Sequence, residues 1–92
     1  MTDRYGNAEA GEFLPGLILP TVIHGQLRKR LAEISSADSA VNCLIAQARA
    51  ESLVEALELL KALEVRAVER LYVLIEHAAT ARLLQLEQDG PR

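Results

Sequence analysis

The sequence has little of the material from which small proteins build a large or cross-linked core. It contains one cysteine, Cys43, no tryptophan and three other aromatic residues, Tyr5, Phe13 and Tyr72. A single cysteine excludes a disulfide within one chain, and a core without large aromatic residues must be filled with aliphatic ones. Small cores of this kind often need a metal or a second chain for support. We therefore expect the chain to associate, with itself or with a partner.

An excess of positive charge is also absent. The chain carries 13 acidic and 10 basic side chains, for a net charge of −3. A general nucleic-acid or anionic-membrane binder would be basic, so neither is an expected partner. Residues 1–12 lack the pattern of a secretory signal, and the apolar stretch at 13–23 contains two prolines and is too short to span a bilayer. We expect a cytoplasmic protein.

What the sequence does have is leucine and alanine, which supply 16 and 14 of its 92 residues. Both are strong helix formers, so the composition predicts an all-α protein. Residues 1–20 are the exception. Residues 1–12 are polar, and residues 13–20, FLPGLILP, are apolar but interrupted by two prolines and a glycine, which favours an extended segment. This N-terminal arm either packs across the helices or inserts into a partner.

The helical domain is expected at residues 21–88, with helices at about 21–34, 38–63 and 65–87. Thr21 is the expected cap of the first helix. Its expected apolar stripe consists of Val22, Ile23, Leu27, Leu31 and Ile34. Ser35 or Ser36 is the expected cap of the second helix, with Asp38 in its first turn.

No glycine or proline occurs between Ser39 and Asp89. An apolar stripe recurs through this stretch at steps of mostly three or four. It consists of Val41, Leu44, Ile45, Ala48, Ser52, Ala56, Leu59, Leu60, Leu63, Ala67, Leu71, Leu74, Ile75, Ala78 and Ala81. A second stripe from Val65 widens the apolar arc, which then needs more than one neighbour. Either one long helix pairs with another copy, or the chain turns near residues 63–66. The second arrangement, a small oligomeric bundle built on an antiparallel αα-hairpin, is favoured because globular helices usually run 8–20 residues.

No motif for catalysis, metal binding or cofactor binding is evident. His24 and His77 lack the short spacing of paired metal ligands, and Cys43 has no basic neighbour that would activate its thiol. Cys43 is therefore expected in the core. We expect no enzyme activity, no metal and no cofactor.

Two charged rows and a patch of small residues remain. Glu51, Glu55 and Glu58 form an acidic row at helical spacing, and Arg66 and Arg70 form a basic one. These rows come within salt-bridge reach if the chain reverses near residue 63. Small side chains let helices approach closely, so the following patch marks either the tightest point of the bundle or a seam between subunits: Ala46, Ala48, Ala50 and Ser52.

The sequence thus predicts a small helical interaction protein, such as an adaptor, an anti-activator or a co-chaperone-like subunit. It would form a homodimer and bind another protein through an apolar helical face. The expected interface residues are Phe13, Leu17, Leu19, Leu60, Leu63, Val68, Leu71, Tyr72, Ile75, Leu83 and Leu86. The alternative is a dimeric nucleic-acid-binding regulator that contacts phosphates through Arg28, Lys29 and Arg30.

Overall fold

A computed structural model describes residues 11–89 of the chain, so the polar arm before residue 11 lies outside the described residues. The elements in chain order are β1 (Glu12–Leu14), β2 (Leu17–Ile18), α1 (Thr21–Ser35), α2 (Ala40–Leu59) and α3 (Val65–Asp89). The protein is mostly helical, as its composition predicts. It is not purely all-α, because β1 and β2 form a small antiparallel hairpin.

The hairpin explains why the segment at 13–20 is both apolar and interrupted. Pro15 and Gly16 connect the strands, and Gly16 has a φ of 77°, the left-handed conformation that glycine adopts at the third position of a type II turn. Phe13, Leu17 and Leu19 are buried in the core of the same chain. The expectation that this segment packs across the helices is therefore confirmed for these three side chains.

Helix α1 follows the hairpin directly. Pro20 occupies the position before its first residue, and no side chain of residues 11–89 caps the helix, so the expected Thr21 cap is wrong. Leu27 and Ile34 are buried, and Ile23 and Leu31 pack beside them. Val22 was expected on the same stripe but is exposed.

Helix α2 begins two residues later than expected. Its cap is Ser39, whose hydroxyl accepts a hydrogen bond from the Asn42 amide at 3.1 Å; Ser35 belongs to α1, and Ser36 follows it. Asp38 lies just before the helix, where its carboxylate accepts a bond from the Asn42 side chain at 2.6 Å. A serine cap satisfies one of the free amides of the first turn.

Helices α2 and α3 are separate, so a single helix over residues 38–88 is not formed. Helix α2 ends at Leu59, and Lys61 then adopts a left-handed conformation with a φ of 56°. The Lys61 amide bonds to the Glu58 carbonyl at 3.0 Å, and the Ala62 amide to the Leu57 carbonyl at 2.9 Å. This pair of bonds is the Schellman motif that commonly ends helices. The expected helix end at residue 63 is therefore four residues too late.

The three helices and the hairpin share one core. Its largest fully buried side chains are Phe13, Leu27, Ile34, Leu71, Ile75, Val54 and Cys43. Helix α2 packs on both α1 and α3. Near the start of α2 the Cys43 thiol lies 3.7 Å from the Ala79 carbonyl oxygen, to which it donates. The expectation that Cys43 belongs to the core is confirmed.

Candidate protein interface

Helix α2 buries one side and leaves large aliphatic side chains exposed on the other. The side chains that it turns into the core are Cys43, Ala46, Ala50, Val54 and Leu57. On the opposite side lie Val41, Leu44, Ile45 and Leu59, each more than half exposed. The long apolar stripe predicted from the sequence therefore faces away from the core along α2. Ala46 and Ala50 let α2 approach its neighbours closely, and residues 11–89 leave the four large outer side chains largely uncovered.

We call this exposed surface the α2 outer face and define it by Val41, Leu44, Ile45, Ala48, Ser52 and Leu59. Ala48 and Ser52, also exposed, lie at its middle. Part of the face borders a groove of about 520 Å³ between α2 and α1, in which Ile45, Ala48 and Ser52 face Gln26 and Arg30. Glu55 is the charged residue that interrupts the face between Ser52 and Leu59.

A second apolar surface lies at the end of the bundle where the last turns of α3 meet the α1–α2 connection. The Arg82 guanidinium donates to the Ala37 carbonyl in the α1–α2 connection at 2.8 Å, which places residue 82 at that end. Between the α3 segment beyond it and the start of α2 lies an open groove of about 830 Å³, the end groove. It is lined by Asp38, Ser39, Ala40, Thr80, Leu83, Leu84, Leu86, Glu87 and Asp89.

The expected interface residues divide into an inner and an outer group. Six of the eleven are buried within the chain and contact its own core: Phe13, Leu17, Leu19, Val68, Leu71 and Ile75. In this fold they offer no surface to a partner. Leu60 is 77% exposed. The remaining four are partly buried: Leu63, Tyr72, Leu83 and Leu86.

The basic cluster at 28–30 is not one surface. The Arg28 guanidinium donates to the Phe13 carbonyl at 3.2 Å, and its Cζ lies 4.4 Å from the centre of the Phe13 ring. Arg30 pairs with Glu33 at 3.0 Å on the same helix. Of the three, Lys29 is exposed, and Arg28 and Arg30 are partly buried. Arg28 therefore secures the hairpin to α1, and Arg30 has its charge partly balanced.

The acidic row of α2 does not meet Arg66 and Arg70. Within residues 11–89, no ion pair joins the two rows; both arginines instead line a shallow groove with Leu14 of the hairpin. The side chain that feels the acidic row is Tyr72 of α3. Partial burial first, and then the carboxylates of Glu58, Glu55 and Glu51, raise the pKa of its phenol above the ordinary value of 10.0.

The two histidines have separate surroundings. The His24 ring meets the Phe13 ring edge to face, with centroids 5.2 Å apart. His77 is exposed and borders the groove beside Leu14, Arg66 and Arg70. In the described part of the chain, no three His, Cys, Asp or Glu side chains are grouped so that they can hold a metal ion.

Sequence reasoning missed Leu84 and did not separate the outer from the inner side chains of α2. The available signal was that α2 is apolar on two opposite sides, with alanines on one and Val41, Ile45 and Leu59 on the other. A helix that is apolar all round is expected to be covered on every side. Here residues 11–89 cover one side only.

Comparisons of the chain with protein-family models, with curated proteins and with solved structures found no match. Among residues 11–89, no helix is both long enough and apolar enough to cross a membrane. The candidate interface therefore depends on the geometry of the chain alone.

Proposed function

We propose that this protein is a small helical interaction protein that forms a homodimer through the α2 outer face and binds another protein. The observation that carries the proposal is the exposure of Val41, Leu44, Ile45 and Leu59 on the side of α2 opposite to its buried side. Contiguous exposed apolar surface on a small protein is typical of an interaction site. Association also supplies the support that a small aliphatic core needs.

The spacing along the outer face suits pairing with a second copy. Residues 41, 45, 48, 52, 55 and 59 are separated alternately by four and three positions, which is the spacing of a helix-pairing seam. The series is symmetric about residue 50. In an antiparallel twofold pair, Val41 of each copy therefore lies opposite Leu59 of the other, and Ala48 lies opposite Ser52. A twofold interface requires this self-complementarity.

Ala48 and Ser52 at the centre are small enough for the two helices to approach closely. The Val41–Leu59 pairs pack together at both ends of the contact. Ile45 lies opposite the aliphatic stem of Glu55, whose carboxylate reaches water at the edge. In this proposal α2 and α3 act together as an antiparallel αα-hairpin that presents the seam. The role is binding, with no catalysis and no cofactor. No described contact favours the nucleic-acid alternative, since Arg28 and Arg30 are engaged within the chain.

Self-association can be tested with a pair of matched variants. Ile45 on the outer face and Val73 on α3 are 52% and 50% exposed, so a glutamate at either position costs the single chain about the same. Sedimentation velocity is expected to give a dimer for the wild type and for Val73→Glu. Ile45→Glu is expected to be a monomer, because it places a second carboxylate opposite Glu55 of the other copy.

Circular dichroism of both variants checks that the helices are retained. A wild-type monomer at every concentration contradicts the homodimer, as does an Ile45→Glu variant that dimerises like the wild type.

A further inference from the structure

The end groove combines an apolar floor with a rim of one charge sign. Ala40, Leu83 and Leu84 contribute the floor, and Leu84 is 52% exposed. Asp38, Glu87 and Asp89 contribute three carboxylates, and no basic side chain of residues 11–89 lines the groove. A partner can bury apolar side chains against this floor only if the side chains that flank them are not repelled by the three carboxylates of the rim.

Two of the three rim carboxylates also lie where the dipole of their own helix disfavours negative charge. Glu87 and Asp89 lie in the last turn of α3, where basic residues are absent. The carboxyl end of a helix already carries partial negative charge, which favours cations and disfavours carboxylates. The helix end therefore disfavours these two carboxylates, whereas a cationic partner gains attraction from both the side chains and the helix end.

We propose that the end groove binds an amphipathic helix of another protein whose apolar face is flanked by lysine or arginine. This rests on the proposed function as an interaction protein and specifies the chemistry of its partner. Helices that lie in grooves are held by apolar anchors on one face, and flanking charges that complement the rim set specificity and encounter rate.

The charge of the rim decides between possible occupants. Nucleic acids and anionic lipid surfaces are repelled by three carboxylates. A second copy lacks a suitable helix among its described residues. The one basic run, Arg28 to Arg30, has Arg28 turned onto Phe13 and Arg30 paired with Glu33.

The test uses the full chain and two synthetic helical peptides of about 18 residues, or about five turns. Both carry the same leucine face; one has lysines beside it and the other has glutamates. Fluorescence anisotropy measures their binding to the wild type. The lysine peptide is expected to bind at least about tenfold more tightly than the glutamate peptide, and added salt is expected to reduce the difference.

Two variants and a control locate the binding. Leu84→Ser removes the exposed anchor from the floor and is expected to weaken lysine-peptide binding by about tenfold or more. Glu87→Lys with Asp89→Lys is expected to reverse the preference, so that the glutamate peptide binds better. Leu59→Ser, on the α2 outer face, is the matched control and is expected to leave binding unchanged.

The outcomes separate this inference from the homodimer. Ile45→Glu is expected to keep peptide binding while losing self-association. Equal binding of the two peptides, or unchanged binding by Leu84→Ser, overturns the groove proposal and leaves the homodimer intact. Loss of the dimer on Leu84→Ser also overturns it, because a second copy would then be the occupant.

Discussion

Arg28 was a predicted phosphate contact, and in the fold it binds the hairpin instead. In the sequence it belongs to a basic run that resembles a phosphate-contacting surface. In the fold its guanidinium meets both the carbonyl and the ring of Phe13. A planar guanidinium can donate a hydrogen bond and lie over an aromatic face at the same time, which an ammonium group cannot do as well.

Replacing Arg28 is expected to loosen the hairpin. Arg28→Ala should lower the free energy of unfolding by about 1–2 kcal/mol, from the lost hydrogen bond and the lost cation–π contact. Arg28→Lys keeps the charge but not the planar guanidinium group, so the decrease in its free energy of unfolding should be intermediate. Urea unfolding measures both. Lys29→Ala is the control on the same helix, expected to stay within about 0.5 kcal/mol of the wild type. An Arg28→Ala variant as stable as Lys29→Ala would contradict this role.

The sequence was enough to predict that helices form, but not which side of α2 faces the core. Leucine periodicity and the lack of glycine or proline after Ser39 were enough to predict helical structure over most of this stretch, but they left one long helix and a hairpin as alternatives. They were not enough to orient α2, because both of its sides are apolar. The burial of Cys43 and Ala50 rather than Val41 and Ile45 is decided by how closely α1 and α3 approach. That distance is a property of the packed fold and is not visible in a single helix.

The end of α2 was missed for a related reason. A left-handed residue after a helix is usually glycine, and here it is Lys61. The turn is held by the backbone bonds of Lys61 and Ala62 and by packing of the helices on either side. No residue type in the sequence signals it. The Pro15–Gly16 turn, by contrast, carries an ordinary turn signal, but the strands beside it have only three and two residues, too few to show an alternating pattern.

The left-handed Lys61 predicts a stabilising substitution. A residue with a Cβ in this conformation costs roughly 1–2 kcal/mol, and glycine avoids the cost while losing more entropy on folding. Lys61→Gly is therefore expected to raise the free energy of unfolding by a net amount of about 0.5–1 kcal/mol, measured by urea unfolding. Lys61→Ala removes the charge and keeps the Cβ, so it is expected to give no such gain. Equal stability of the two variants would contradict a net gain from removing the Cβ at this position.

For the whole molecule, the proposed dimer links folding to concentration. One face of α2 is covered by the chain, and we propose that its opposite face is covered by a second copy. A folded dimer that unfolds to two separate chains is stabilised by mass action, so its Tm depends on how much protein is present. A folded monomer has a Tm that does not change with concentration.

Above the concentration at which dimers form, the Tm of the wild type is therefore expected to rise by about 3–6 °C for each tenfold increase in protein, given the size of the domain. Thermal unfolding followed by circular dichroism measures it. Ile45→Glu should melt at one temperature throughout the series, and Val73→Glu should follow the slope of the wild type. A wild-type Tm that stays constant across the dimeric range would mean that the second copy adds no stability. The exposed aliphatic side chains of α2 would then have to be covered by a different protein.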